Sequence, residues 1–265
     1  MLSSLASKYE ENLFGSVIPF WMRHSIDREH GGYFSCLDRQ GHVFDPRKYV
    51  WMNGRQVWTL SRLYNSWERR PEWLEAARLG ADFLRRNAFD SDGRCWFSLT
   101  ADGRPAFFQR KPYAGLFVML GFHEYGLASG DEWYVERARE LYLDVRRWSR
   151  DSSLLGRPVI PGAPRLGELA GIYALCAMGL ETGDNAALRE CLDQIHLHYD
   201  PSRELLLECA PLDEESRQYP EARLICVGSN FEIFWYLMRA LDRCPDAAVE
   251  AMLYRSEERR VGKEV

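Results

Sequence analysis

Two segments concentrate residue types that can hold or move charge on a small polar ligand. In KYVWMNGRQVW (48–58) and the turn after it, Trp51, Arg55, Trp58 and Arg62 recur at i, i+4, i+7 and i+11, one stripe of a helix. Arg55 then sits between two indoles. Such a guanidinium is a fixed cation in an aromatic-walled cleft, suited to a sugar oxygen or a developing enolate. The plainer reading is a snorkelling arginine whose stem packs on tryptophan. In ICVGSNFEIFWYLMRAL (225–241), Phe231, Phe234, Trp235, Met238 and Leu241 form an apolar stripe, while Ser229, Glu232 and Tyr236 form a separate polar one at i, i+3 and i+7. A solvated face explains the polar stripe equally well, and Ser229 or Asn230 suits a helix N-cap.

Other chemistry finds little support. His196 and His198 lie two apart and do not share a helical face, so no metal site is expected there. His123-Glu124 lacks the second histidine of HExxH, and GxSxG, Walker A and GxGxxG are absent from the sequence. The seven cysteines form no CxxC pair, which points to reduced thiols in a cytoplasmic protein. A net charge of -5 without a long basic run before the last few residues argues against nucleic acid. No apolar run reaches the ~18–20 residues of a membrane span, and the N-terminus does not read as a secretory signal. Nine Trp and 13 Tyr suit both a large helical core and a carbohydrate cleft, whose flat rings cover the apolar face of a sugar.

The elements that must position these residues are mostly helices. Tyr134, Ala138, Leu141, Val145 and Trp148 make one apolar stripe over 134–148, and similar periodicity covers roughly 2–23, 47–68, 72–88, 112–129, 161–181, 184–199 and 228–243. Between them, 31–45 and 94–108 alternate aromatic and polar residues around glycine-containing turns and predict β-hairpins. SGD at 129–131 recurs as TGD at 182–184, and GRP at 103–105 recurs at 156–158, both 53 residues on. Repeated helix pairs stack into a solenoid or close into a ring. The charged stretch 255–265 lacks an apolar stripe and reads as a non-native or disordered tail after a domain over 1–254.

The stretch FWMRHSIDREHGGYFSCLDRQGHVFDPRKYVWMNGRQVWTLSRLY (20–64) resembles the N-acylglucosamine 2-epimerases, also described as renin-binding proteins. The resemblance continues through FLRRNA, LTADGRP, LGRPVIPGAP and FEIFWYLMR, over roughly 8–243. It implies an all-α protein, an (α/α)6 barrel with short β-hairpins at one end, of which this chain would supply about eight of twelve helices. It implies proton transfer at C2 of a sugar, with relatives that include cellobiose 2-epimerases and aldose–ketose isomerases. No cofactor or metal is implied as required, ATP is an activator in several members, and a homodimer is compatible with it. Arg55 matches an arginine near the carbonyl oxygen, Trp51 a pocket tryptophan and Glu232 the glutamate of a PGHxxE motif, read here as VGSNFE. Ser229 therefore stands at the position of a catalytic histidine, and a second histidine belongs to a segment not contained here. Asn53, Trp58 and Glu168 complete the expected sugar contacts, although PRLGELAG (164–171) departs from the family's Met-Ala-Val-Pro pattern. The expected activity is interconversion of N-acyl-D-glucosamine and N-acyl-D-mannosamine, with this chain inactive alone. The rivals are a non-catalytic sugar-binding member and, on a similar barrel, a glycoside hydrolase with two facing carboxylates.

Overall fold

The computed structural model describes residues 2–109, 112–150 and 166–261. The chain divides into two compact units, Met1–Leu154 and Leu155–Val265. The first opens on α1 (Leu2–Asn12), a π-helical turn (Leu13–Val17) and α2 (Ile18–His24), which run on without a break. An antiparallel hairpin follows, β1 (Cys36–Leu37) with β2 (Val43–Asp45). Then come β3 (Lys48–Tyr49), α3 (Val50–Ser66), α4 (Pro71–Asn87), β4 (Ser98–Leu99), β5 (Pro105–Phe107), α5 (Tyr113–Ser129) and α6 (Glu132–Arg150). Both hairpins expected from the sequence form. The helix expected over 47–68 starts only at Val50, because Lys48 pairs with Leu99 and Tyr49 with Ser98. The second hairpin thus becomes a three-stranded antiparallel sheet ordered β3-β4-β5.

Apolar distribution decides which helices lie inside this unit. From Ala114 to Gly126 every residue of α5 except His123 is buried, the condition of a helix covered on all sides. It packs against α3, α4 and α6. The 134–148 stripe faces the core of α6, with Tyr134, Ala138, Leu141, Val145 and Trp148 all buried. α3 and α5 approach closely through glycine. A Cβ on Gly54 would lie 2.5 Å from the backbone of Phe117, and one on Gly121 would lie 2.7 Å from the Gly54 carbonyl.

At the start of α3, Lys48 is fully buried. Its ammonium donates to Asp27 Oδ2 (2.7 Å), Gly31 O (2.6 Å) and Ala101 O (2.7 Å), which satisfies all three protons. The rings of Phe83 and Phe34 lie 4.4 and 5.1 Å from Nζ. Burial pushes the Lys48 pKa down against the pull of Asp27. Burial also pushes Asp27 up, but the bonds from Lys48 and from the amides of His30 and Glu29 outweigh it and hold the carboxyl below its ordinary value.

The second unit contains β6 (Leu166–Glu168), α7 (Leu169–Thr182), α8 (Asn185–Ile195), β7 (Tyr199–Asp200), β8 (Leu205–Leu206), β9 (Cys209–Pro211), α9 (Val227–Leu241) and α10 (Ala247–Val261). β6 pairs with β9, and β7 with β8, both antiparallel. The expected helix over 161–181 begins at Leu169, with β6 before it. The SGD/TGD repeat is one helix corner used twice. Gly130 (φ 75°) and Gly183 (φ 74°) end α5 and α7 in the left-handed region, which glycine enters without a Cβ penalty. The next residue starts the following helix: Asp131 Oδ1 accepts the Trp133 amide and Asp184 Oδ1 the Ala187 amide, both at 3.0 Å. The second GRP copy lies outside the described residues.

One further expectation changes in this unit, the face that α9 buries. On α9 the buried residues are Asn230, Ile233, Phe234, Tyr236, Leu237 and Ala240, whereas Phe231, Trp235 and Met238 of the expected apolar stripe are exposed. Contacts with α7 choose the face: the Tyr173 ring stands edge-on to Tyr236 at 4.9 Å, and the Cys176 thiol reaches the Tyr236 carbonyl. The backbone of 255–261 belongs to α10.

Two outcomes are expected. Gly54→Ala should lower stability by about 1–3 kcal/mol, because the added methyl meets backbone rather than a movable side chain; an unchanged urea midpoint would show that α3 and α5 separate freely. Lys48→Met should cost about 3–5 kcal/mol, since it leaves a buried carboxylate unpaired. The Asp27 contribution in the parent is complete above the ordinary carboxyl value of about 3.9 and is lost as pH falls through the lower folded value. Denaturation curves from pH 7 to pH 2 should show that acid loss in the parent, and its absence would count against the pairing.

Candidate functional site

In the first unit the site is built on the opening turns of α3. Asn53 anchors them: its Oδ1 accepts the Tyr33 amide at 2.8 Å, and its Nδ2 donates to the Tyr33 and Tyr49 carbonyls at 3.1 Å each. Asn53 is almost completely buried and ties the start of α3 to the segment before the first hairpin. Its neighbour Gly54 brings α5 against α3, and this places the Phe117 ring 4.4 Å from the Arg55 guanidinium carbon. Trp51 covers the same cation at 5.7 Å, and its ring centroid lies 5.9 Å from that of Phe117. The expected sandwich of two indoles is therefore one indole and one phenyl. Trp58 is half-buried, and its Nε1 is buried with no hydrogen-bond partner among the described residues. Arg62 turns away to a different task. Its Nη1 donates to Glu124 Oε2 at 3.2 Å, while Asn65 Nδ2 donates to Glu124 Oε1 at 2.7 Å. Glu124, which the sequence offered only as part of a failed zinc motif, is a buried clamp between α3 and α5. Burial lowers the pKa of the adjacent His123.

In the second unit the site is built on facing turns of α7 and α9. Glu168, half-exposed, ends β6 opposite Cys209 and stands at the N-terminal boundary of α7. Asn230 is fully buried and pins α9 to the preceding hairpin, accepting the Leu206 amide and donating to the Leu206 carbonyl, both at 3.0 Å. That contact fixes the rotation of α9. Tyr173 OH then donates to Glu232 Oε1 at 2.9 Å. Tyr173 went unnoticed in the sequence, where it reads as one more apolar position of α7. Ser229 faces Cys226, the residue before α9. The Ser229 hydroxyl, then its backbone amide, lower the pKa of this exposed thiol, although Cys226 closes no regular capping hydrogen bond. His198 is committed elsewhere: its Nδ1–H donates to the Leu207 carbonyl at 2.8 Å, and burial lowers its pKa.

The aromatic-seated arginine of the first unit suits a polar, hydroxyl-rich ligand, and so, taken by itself, does the tyrosine-bound glutamate of the second. The family described as N-acylglucosamine 2-epimerase (GlcNAc 2-epimerase) matches residues 32–156, which include Trp51, Arg55 and Phe117. The bovine N-acylglucosamine 2-epimerase is 36% identical over 249 residues, 89% of this chain and 59% of that protein. The human one is also 36% identical, over 262 residues, 89% of this chain and 58% of that protein. Over most of its length the chain is thus similar to N-acylglucosamine 2-epimerases. It spans less than two thirds of the length of these relatives. Its fold matches that of the cellobiose 2-epimerase of Spirochaeta thermophila with a TM-score of 0.76 and 22% identity, covering 97% of this chain and 69% of that one. The fold class is accordingly the all-helical (α/α)6 type with short β-hairpins.

The residue at position 229 has a measurable local consequence. Cys95, Cys176, Cys191, Cys209 and Cys244 are buried, whereas Cys226 is exposed and has a lowered pKa. Cys226 should therefore be alkylated by iodoacetamide before the other thiols, since the thiolate is the nucleophile. Ser229→Ala removes the leading cause of the lowered value and should move the pH midpoint of alkylation upward. Peptide mapping across a pH series checks both; a midpoint unmoved by Ser229→Ala would detach the serine from the thiol.

Proposed function

We propose that the protein is a sugar 2-epimerase of the N-acylglucosamine type, interconverting N-acyl-D-glucosamine and N-acyl-D-mannosamine by proton transfer at C2. Similarity to N-acylglucosamine 2-epimerases supports the reaction class, and the observation that carries the chemistry is the Arg55 guanidinium seated on Phe117 and Trp51. In the ring-opened sugar, removal of the C2 proton moves an electron pair toward the C1 carbonyl oxygen and gives an enolate whose C2 carries the acylamino group. Return of a proton to the opposite face gives the other epimer. A fixed cation at the oxygen stabilises the enolate more than the neutral aldehyde, which is the differential binding that accelerates a reaction. Glu232 is assigned to substrate contact, with Trp51, Trp58 and Glu168 as further sugar contacts.

The proton-transfer group is the weak point of this chain. A serine hydroxyl without an adjacent base does not abstract a carbon-bound proton near neutral pH. The chain is therefore expected to bind amino sugars and to exchange C2 protons little faster than buffer. Ser229 equally favours a second reading, a sugar-binding member without turnover. ATP belongs to the proposal as an activator that is not consumed, the cytoplasm as its location, and a homodimer as an assembly compatible with it. No described helix is long and apolar enough to cross a membrane.

Titration with N-acetylglucosamine and N-acetylmannosamine, with and without ATP, tests the reading. Saturable binding at about 1 mM or below is expected. Arg55→Met should weaken it at least about tenfold, the value of a charge-assisted hydrogen bond. Deuterium wash-in at C2 should rise on Ser229→His, as general acid–base groups contribute ~10²–10⁴-fold. Wash-in that stays at the buffer rate in Ser229→His, with binding intact, would favour the non-catalytic member. Failure of both sugars to bind would overturn the proposal.

A further inference from the structure

The hydrogen bond between Tyr173 and Glu232 joins two helices at a residue given a substrate role above. Tyr173 lies on the second turn of α7, and its ring is fixed edge-on against Tyr236 at 4.9 Å with an interplanar angle of 81°. Tyr236 is one helical turn beyond Glu232 on α9 and is buried. The phenol ring is thus oriented by packing, and its hydroxyl reaches Glu232 Oε1 at 2.9 Å. The rotation of α9 that presents Glu232 to this hydroxyl is set independently, by the buried Asn230 bonded to both backbone groups of Leu206.

A half-exposed glutamate left to itself samples several rotamers, and ordering it on a ligand costs free energy of that order. A carboxylate offers about four acceptor positions, of which a phenol takes one. A donor that is itself immobile can therefore hold the carboxylate while other positions meet a ligand.

We propose that Tyr173 is a positioning residue for Glu232, fixing its carboxylate through the phenol hydroxyl so that it is ordered before a sugar hydroxyl donates to it. The inference rests on the reading of Glu232 as a substrate contact. Tyr173 acts through Glu232 and takes no part in proton transfer.

The test uses the full chain and Tyr173→Phe, which keeps the ring against Tyr236 and removes only the hydroxyl. Affinity for N-acetylmannosamine should fall about tenfold, the scale of a hydrogen bond to a charged group, with the melting temperature nearly unchanged. In a double-mutant cycle with Glu232→Ala, the double variant should bind no more weakly than Glu232→Ala alone, since Tyr173 has nothing left to orient. Additive losses, or no loss in Tyr173→Phe, would overturn the inference. Infrared difference spectra, with the Glu232 carboxylate band assigned by its disappearance in Glu232→Ala, should show that band shifted in Tyr173→Phe without any sugar. If no amino sugar binds the parent, the functional reading fails while the band still decides the contact: a shift supports it and an unmoved band rejects it.

Discussion

An ammonium with no access to water must find an acceptor for each proton, and Lys48 finds them in three places far apart in the chain. Asp27 and Gly31 belong to the segment before the first hairpin, and Ala101 to the turn of the second. Left unpaired, a charge so buried would cost several kcal/mol, so these segments are held to one geometry or the unit does not form. The residue after next is Val50, where α3 begins. The direction of α3, and with it the directions of Trp51 and Arg55, therefore follows from where Lys48 is satisfied. A helix propensity alone would have started α3 earlier and turned these side chains elsewhere.

Glycine sets the next level of order. Gly54 and Gly121 let the α3 and α5 backbones approach so closely that any side chain would collide with a peptide group. Close approach of two helices delivers Phe117 under Arg55 and brings Glu124 within reach of Arg62 and Asn65. One arginine of the stripe is consumed as a structural clamp, while its neighbour two turns earlier keeps an aromatic seat. The same helix thus divides its cations between stability and binding according to what α5 presents at each level.

The second unit uses neutral groups for the same purpose. Asn230 is to α9 what Asn53 is to α3: a buried amide that matches both the donor and the acceptor of a distant backbone residue. Such a pair specifies both depth and rotation of a helix, because a half-satisfied buried amide is costly. With α9 so rotated, Glu232 meets Tyr173, Ser229 meets Cys226, and an apolar arc of Phe231, Trp235 and Met238 is left facing outward.

Regularities that arise within a few residues of chain were legible in the amino-acid order. The apolar stripe of α6, the two hairpins and the Gly-Asp corners at 130–131 and 183–184 depend on local backbone preference and on spacing along one helix, and they formed as read. The block around Trp51 and Arg55 was legible as well, because its residues share one helix. What could not be read was every partner supplied from another element. Phe117 in place of Trp58 beside Arg55, the consumption of Asn53 by Tyr33 and Tyr49, the burial of Lys48, the outward face of α9 and the hand of Tyr173 on Glu232 all depend on how two elements cross. Periodicity names the residues that share a face, but two apolar arcs on one helix are equivalent until a neighbour packs against one of them. The choice was made by closely packed glycines and by buried polar groups that tolerate only one set of partners.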